Sequence, residues 1–163
     1  MKRVFFYSLF ISLFMTACGQ SPEIKTYIYS QVTTPGAPMG NDKNPFPKKY
    51  FIYAEIKKGT SLAAEGLWID GKYFSVSGVE KVNSPVIVET QTAIKMEKET
   101  LVNKTVNDVY QVNVGEEKSR AFQNETEKKL VGENKAVLIL TINGKQEFAA
   151  SAAIKELTPA VMM

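Results

Sequence analysis

Few side chains in this 163-residue chain could carry out covalent chemistry. Cys18 is the only cysteine, and there is no histidine. Without histidine, neither a Ser-His nor a Cys-His nucleophile pair can be built. Zinc sites assembled from His and Cys are excluded too, because a lone thiol supplies a single ligand. No serine is followed three residues later by lysine, and neither Gly-x-Gly-x-x-Gly nor a P-loop occurs. Asp42-Lys43-Asn44 opens like a calcium loop, but Phe46 stands at a ligand position and no glycine follows at the sixth. Carboxylate chemistry survives this filter. Seventeen Asp and Glu side chains could include a general acid and its partner. Spacing does not select a pair, since strands bring distant residues together; Glu89 with Glu147 and Asp70 with Glu65 are equally arbitrary choices.

The surroundings of Cys18 are more informative than the thiol alone. Lys2 and Arg3 precede an apolar run, Val4 to Phe14, and small residues, Thr16 and Ala17, lead into the cysteine. A basic start, an apolar stretch of about 7–15 residues and small residues before a cut make a secretory leader. The run is well short of the ~20 apolar residues that a spanning helix needs. With Met15 where leucine is usual, Met15-Thr16-Ala17-Cys18 resembles the lipobox of bacterial lipoprotein signal peptides. The resemblance covers residues 1–18. It implies that the Cys18 thiol takes a diacylglycerol group and that a peptidase cuts before it. It also explains one cysteine without a partner, and more than one acyl chain suffices for stable anchoring. Gly19 follows instead of aspartate, which by the enteric pattern implies the outer membrane, facing the periplasm.

The leader (1–17), the lipidated cysteine with a short polar tether (18–25) and one domain (26–163) divide the chain. The mature product has 163 − 17 = 146 residues, a single-domain length at which about 70% of the unfolded surface can be buried. No disulfide can form within it, so the core does the stabilising. Without Lys2 and Arg3 it carries 20 − 2 = 18 basic and 17 acidic side chains, too balanced for a nucleic-acid footprint. The lysine pairs 48–49, 57–58 and 128–129 are scattered along the chain and read as solvated edges, with a lipid-headgroup contact as the lesser alternative.

The elements that must position any site read as strands. Thr26–Thr33 is rich in Tyr, Ile and Val. The stretch 34–47, with four prolines and two glycines, forbids regular structure. Residues 50–57, 86–96 and 110–114 alternate apolar and polar, the mark of half-buried strands. Asp70-Gly71 and Asn143-Gly144 tolerate the positive φ of a type I′ turn, and each is expected to close a two-residue hairpin. The register follows: Trp68 opposite Tyr73, Leu67 opposite Phe74, Ile139 opposite Phe148, Val137 opposite Ala150. Leu67, Ile69, Phe74 and Val76 form the core side of the first hairpin. The strand around Leu138 is apolar on both faces and reads as central and covered. Glu116–Leu130 lacks a continuous apolar stripe and reads as a polar loop with a helical turn. The expected class is all-β: an antiparallel, immunoglobulin-like β-sandwich of about seven or eight strands, with a barrel as the alternative.

One site-like feature results. Trp68 and Tyr73 stand side by side on the non-core face, where exposed rings would make a flat platform for sugar or protein. Phe51 and Tyr53 point off the core face of their own strand and could extend it. Packing of Trp68 in the core, or a loop over the pair, is the competing reading. The small-residue run Ala149–Ala153 reads as close packing. The expectation is therefore a non-enzymatic, membrane-anchored envelope lipoprotein that contacts protein or glycan, without cofactor or metal. A carboxylate-dependent glycan hydrolase is the alternative. A third possibility is an inhibitor-like or adhesive module that uses the 34–47 loop.

Overall fold

The computed structural model describes residues 23–35 and 48–162. Cys18, the leader and most of the 34–47 stretch lie outside the described residues. In chain order the elements are β1 Lys25–Pro35, β2 Lys48–Ile56, β3 Leu62–Ile69, β4 Lys72–Val82, β5 Val86–Gln91, β6 Met96–Val102, β7 Asp108–Lys118, α1 Glu125–Glu133, β8 Ala136–Ile142, β9 Lys145–Ser151, β10 Lys155–Glu156 and β11 Ala160–Met162. The class is all-β.

Two sheets of very unequal size are present. A nine-stranded mixed sheet runs β10-β1-β2-β7-β4-β3-β8-β9, with β11 also on β1, and curls into a half-barrel. The second sheet is the β5–β6 hairpin. The curl follows the barrel alternative more closely than two facing sheets of similar size. Pairing is antiparallel except where the C-terminal segment returns: β10 and β11 lie parallel to β1.

Both glycine turns form as their chemistry dictates. Asp70 and Gly71 have φ of 48° and 77°, Asn143 and Gly144 φ of 50° and 80°, the left-handed pairs that a type I′ turn requires. The register is the expected one: Trp68 pairs Tyr73, Leu67 pairs Phe74, Ile139 pairs Phe148 and Val137 pairs Ala150.

The concave face holds the main core. Ile28, Ile52, Ala54, Leu67, Ile69, Val112, Leu138 and Leu140 pack together there, with Phe74 and Val76 against them. Alternation sends the neighbouring residues to the convex face, where two further clusters form. Tyr29, Tyr53 and Val109 pack there against Leu101 and Val102 of β6. Trp68, Val137 and Ile139 lie beneath Val131 of α1. β8 is buried on both faces, as its unbroken apolar run implies.

Two local readings are corrected. Residues 86–96 are not one strand. The chain reverses at 92–95, because Thr92 Oγ1 accepts N–H bonds from Ile94 (3.4 Å) and Lys95 (3.1 Å) and donates to the Lys95 carbonyl (2.7 Å). A turn closed by a threonine hydroxyl needs no Gly or Pro to mark it, and the faces switch across it: Val88 lies on the inner side and Met96 on the outer. Glu116–Leu130 is not wholly loop: α1 begins after Asn124, whose Oδ1 caps the Glu127 N–H at 2.8 Å. Its buried residues are only Glu127 and Val131, too thin a stripe to read as periodic.

Candidate functional site

The β3–β4 hairpin sets the expected ring pair. Trp68 and Tyr73 are cross-strand partners with centroids 5.2 Å apart, tilted by 60°. Tyr73 lies across Gly66, where a side chain would collide with the phenol ring, and its hydroxyl donates to the Glu65 carbonyl at 3.3 Å. So far the geometry is the one expected.

The platform itself is not there. Trp68 is only 4% exposed. The chain after β7 folds back over it: the Phe122 ring packs on the indole at 4.8 Å, and α1 closes the far side with Val131. Trp68 Nε1 donates to Glu127 Oε1 at 2.8 Å, and Gln123 N donates to Glu127 Oε2 at 2.6 Å. Arg120 Nη2 stands 3.3 Å from Glu127 Oε1, and the guanidinium lies 4.5 Å from the Tyr73 ring centre. Glu127 is fully buried. A buried carboxylate is tolerated only when paired and hydrogen-bonded, and the two hydrogen bonds with the Arg120 ion pair meet that condition. The 119–133 segment is thus a cover fastened to the sheet by one carboxylate.

Phe51 and Tyr53 do not extend the pair. They do leave the core face of β2, but they enter the cluster beneath β5–β6. Tyr53 is 2% exposed, and Phe51 is half-buried with the Lys49 ammonium 4.8 Å above its ring. The four rings fall into two covered clusters, because the convex face is buried in both places. Period-two alternation separates the faces of a strand but does not say what covers the second.

Sequence reasoning missed Arg120, Phe122 and Glu127. One signal was present: Asn124-x-x-Glu127 matches the capping-box spacing. In a capping box the carboxylate returns to the N-cap amide. Here it takes the amide one residue earlier and the indole, a use that spacing cannot reveal. What stays open beside Tyr73 is a shallow groove of about 450 Å³ between Lys72, Glu117, Lys118 and Arg120.

The exposed apolar surface lies elsewhere. On the outer side of β5–β6, Ile87 is 51% and Met96 52% exposed, and Ile94 at the turn is 93% exposed. Between them Lys98 and Glu89 pair at 2.6 Å. The inner side is tied down by polar contacts. Gln31 Nε2 donates to Thr90 Oγ1 (2.8 Å) and to the Thr158 carbonyl (2.9 Å). Thr158 in turn donates its N–H to Glu99 (2.9 Å) and its hydroxyl to Glu97 (3.1 Å). The inner side of the hairpin is thus fastened to β1 and to Thr158, while Ile87, Met96 and Ile94 at the turn face solvent.

Four acids are tied firmly into the structure. At Glu55, burial pushes the carboxyl pKa up, but hydrogen bonds from Thr105, Tyr27 and Asn107 outweigh it and hold the pKa below the usual range. At Asp108 the Gly59 N–H and the Lys81 ammonium lower it. Glu65 is lowered by Thr141 and Gln146, and Glu97 by Lys95 and Thr158. No group of acidic side chains placed to hold a metal ion occurs among the described residues.

No family model matches the chain, and no curated protein or solved structure matches it.

Proposed function

We propose that this chain is a bacterial envelope lipoprotein, anchored through a lipid on Cys18 to the outer membrane and facing the periplasm, that serves as a non-enzymatic protein-binding module. The observation that carries the reading is the β5–β6 hairpin with Ile87, Ile94 and Met96 turned to solvent. Ile94 is 93% exposed at the turn, and exposed apolar side chains grouped on one element and flanked by polar residues mark interaction sites. Topology supports the division of labour. β5 and β6 both leave the end of the fold where β1 begins, so the hairpin turn lies at the opposite end from the tether.

The hydrolase alternative has less support. A general acid needs a raised carboxyl pKa, so Glu55, Glu65, Glu97 and Asp108, held low by their hydrogen-bond partners, do not suit that role. Glycan stacking is disfavoured by the burial of Trp68 and Tyr53.

The test has two arms. Radiolabelled palmitate enters the wild type and not Cys18→Ser; label in both overturns the anchor. A pull-down from detergent-solubilised membranes recovers the same partner with wild-type bait and loses it with Ile94→Asp. Equal recovery with both baits, or no partner together with activity on a glycan panel, overturns the binding module.

A further inference from the structure

Exposed lysines gather at the end of the half-barrel where β1 begins. The end where β1 begins also carries the β2–β3 turn, the 103–107 connection and the β8–β9 turn, because each of these strands is antiparallel to its neighbour. Lys57 and Lys58, Lys104 and Lys145 are remote in sequence, and the topology gathers them on this rim. All four are exposed, and none pairs with a carboxylate among the described residues. Three acids at this end are already engaged. Glu55 is enclosed by three donors, Asp108 is bound by Gly59 and Lys81, and Glu23 stands 3.9 Å from Lys25. Val106 projects from the same rim, 88% exposed. At the opposite end several lysines are neutralised singly, Lys48 by Glu156, Lys72 by Glu117, Lys95 by Glu97 and Lys135 by Asp70, while Lys49 and Lys118 have no carboxylate partner among the described residues.

The tether leaves from the basic rim. Ile24 packs against the barrel core, so the free span runs from Cys18 to Ile24, 24 − 18 = 6 residue steps. Fully extended, that is about 20 Å. β1 has 11 residues, about 35 Å of strand. A leash of this length cannot bring the far end to the bilayer that holds Cys18, but it presses the near end close to it.

We propose that the rim formed by Lys57, Lys58, Lys104 and Lys145 rests on the anchoring bilayer and binds anionic phospholipid headgroups. This deepens the anchored reading and rests on it. Exposed ammonium groups attract anionic headgroups over a distance of about one Debye length, about 8 Å at physiological ionic strength. Held within that distance by the lipid on Cys18, the rim orients the body with the β5–β6 tip pointing away from the membrane.

The experiment uses the lipidated protein in vesicles of phosphatidylglycerol with phosphatidylcholine, or of phosphatidylcholine alone. Lysines are acetylated by a water-soluble reagent and read by mass spectrometry. On the anionic vesicles Lys57, Lys58, Lys104 and Lys145 label several-fold more slowly than on the neutral ones, while Lys72, Lys118 and Lys135 do not change. Protection disappears at about 1 M salt, where the Debye length is about 3 Å. Equal labelling of the rim on both vesicle types, with the protein floating with both, overturns this inference and leaves the anchor intact. Failure to float with either type overturns the anchor, and this inference falls with it. Protection by soluble polyglutamate that anionic vesicles do not give assigns the rim to an acidic macromolecule and overturns the lipid assignment.

Discussion

Replacing Glu127 with alanine isolates what fastens the 119–133 cover to the sheet. The carboxylate is fully buried and meets Trp68 Nε1, Gln123 N and Arg120. After truncation Gln123, which is exposed, finds water. The indole N–H and the guanidinium do not find it as easily. A buried donor left unpaired costs about 1–3 kcal/mol, and breaking a buried ion pair from one side about 3–5 kcal/mol. The loss is therefore about 3–5 kcal/mol if the cover stays down. The barrel core does not include this cluster, so lifting the cover is the cheaper response and caps the cost. The chain has one tryptophan, so fluorescence reports on this site alone. In the wild type Trp68 emission is blue-shifted and resists acrylamide. In Glu127→Ala it shifts red and becomes quenchable well below the global melting temperature. Tm falls by about 6–12 °C if about 3 kcal/mol is transmitted to the whole domain. Glu127→Gln keeps an acceptor for the indole and falls between the two. Wild-type emission and quenching in Glu127→Ala, with Tm within about 2 °C, would refute the role given to this carboxylate.

Three further outcomes are expected. Leu138→Ala, at a fully buried position of the barrel core, destabilises by about 2–5 kcal/mol in denaturant unfolding; a loss below about 1 kcal/mol would mean that the concave face is not packed as described. Ile94→Asp leaves stability within about 0.5 kcal/mol of wild type while abolishing partner recovery, because its side chain touches almost nothing; a large stability loss would place it in a packed contact. Glu55 has a lowered folded pKa, so its contribution is complete above the unfolded carboxyl value near 4.3 and is lost as pH falls through the lower folded value. Thermal melts of Glu55→Gln therefore show a shallower acid limb below about pH 4.5, and an identical limb would contradict the assignment.

Much of the architecture was legible in the chain because it depends on neighbours. Asp70-Gly71 and Asn143-Gly144 each decide a turn within two residues, and a two-residue turn decides every pair along both strands. That is why Trp68 opposite Tyr73 and Ile139 opposite Phe148 were readable. The Thr92 turn was not, because a threonine turn leaves no Gly or Pro to mark it. Nor was α1, whose buried stripe is two residues and whose single signal, the Asn124-x-x-Glu127 spacing, stands without a periodic pattern behind it.

The candidate site divides along the same line. That Trp68, Phe51 and Tyr53 leave the core face is a property of period-two geometry, local to each strand. Whether a ring on that face meets water depends on segments far along the chain: Phe122 and Glu127 reach Trp68 from more than fifty positions away, and Leu101 and Val102 cover Tyr53 from a similar distance. The lysines follow the same logic. Residues 57, 58, 104 and 145 are scattered as text and become one rim because antiparallel strands return their turns to the same end. Turn chemistry and alternation act between adjacent residues, so the order of the amino acids is enough to state them. Burial and charge clustering act between segments that meet only when the sheet curls.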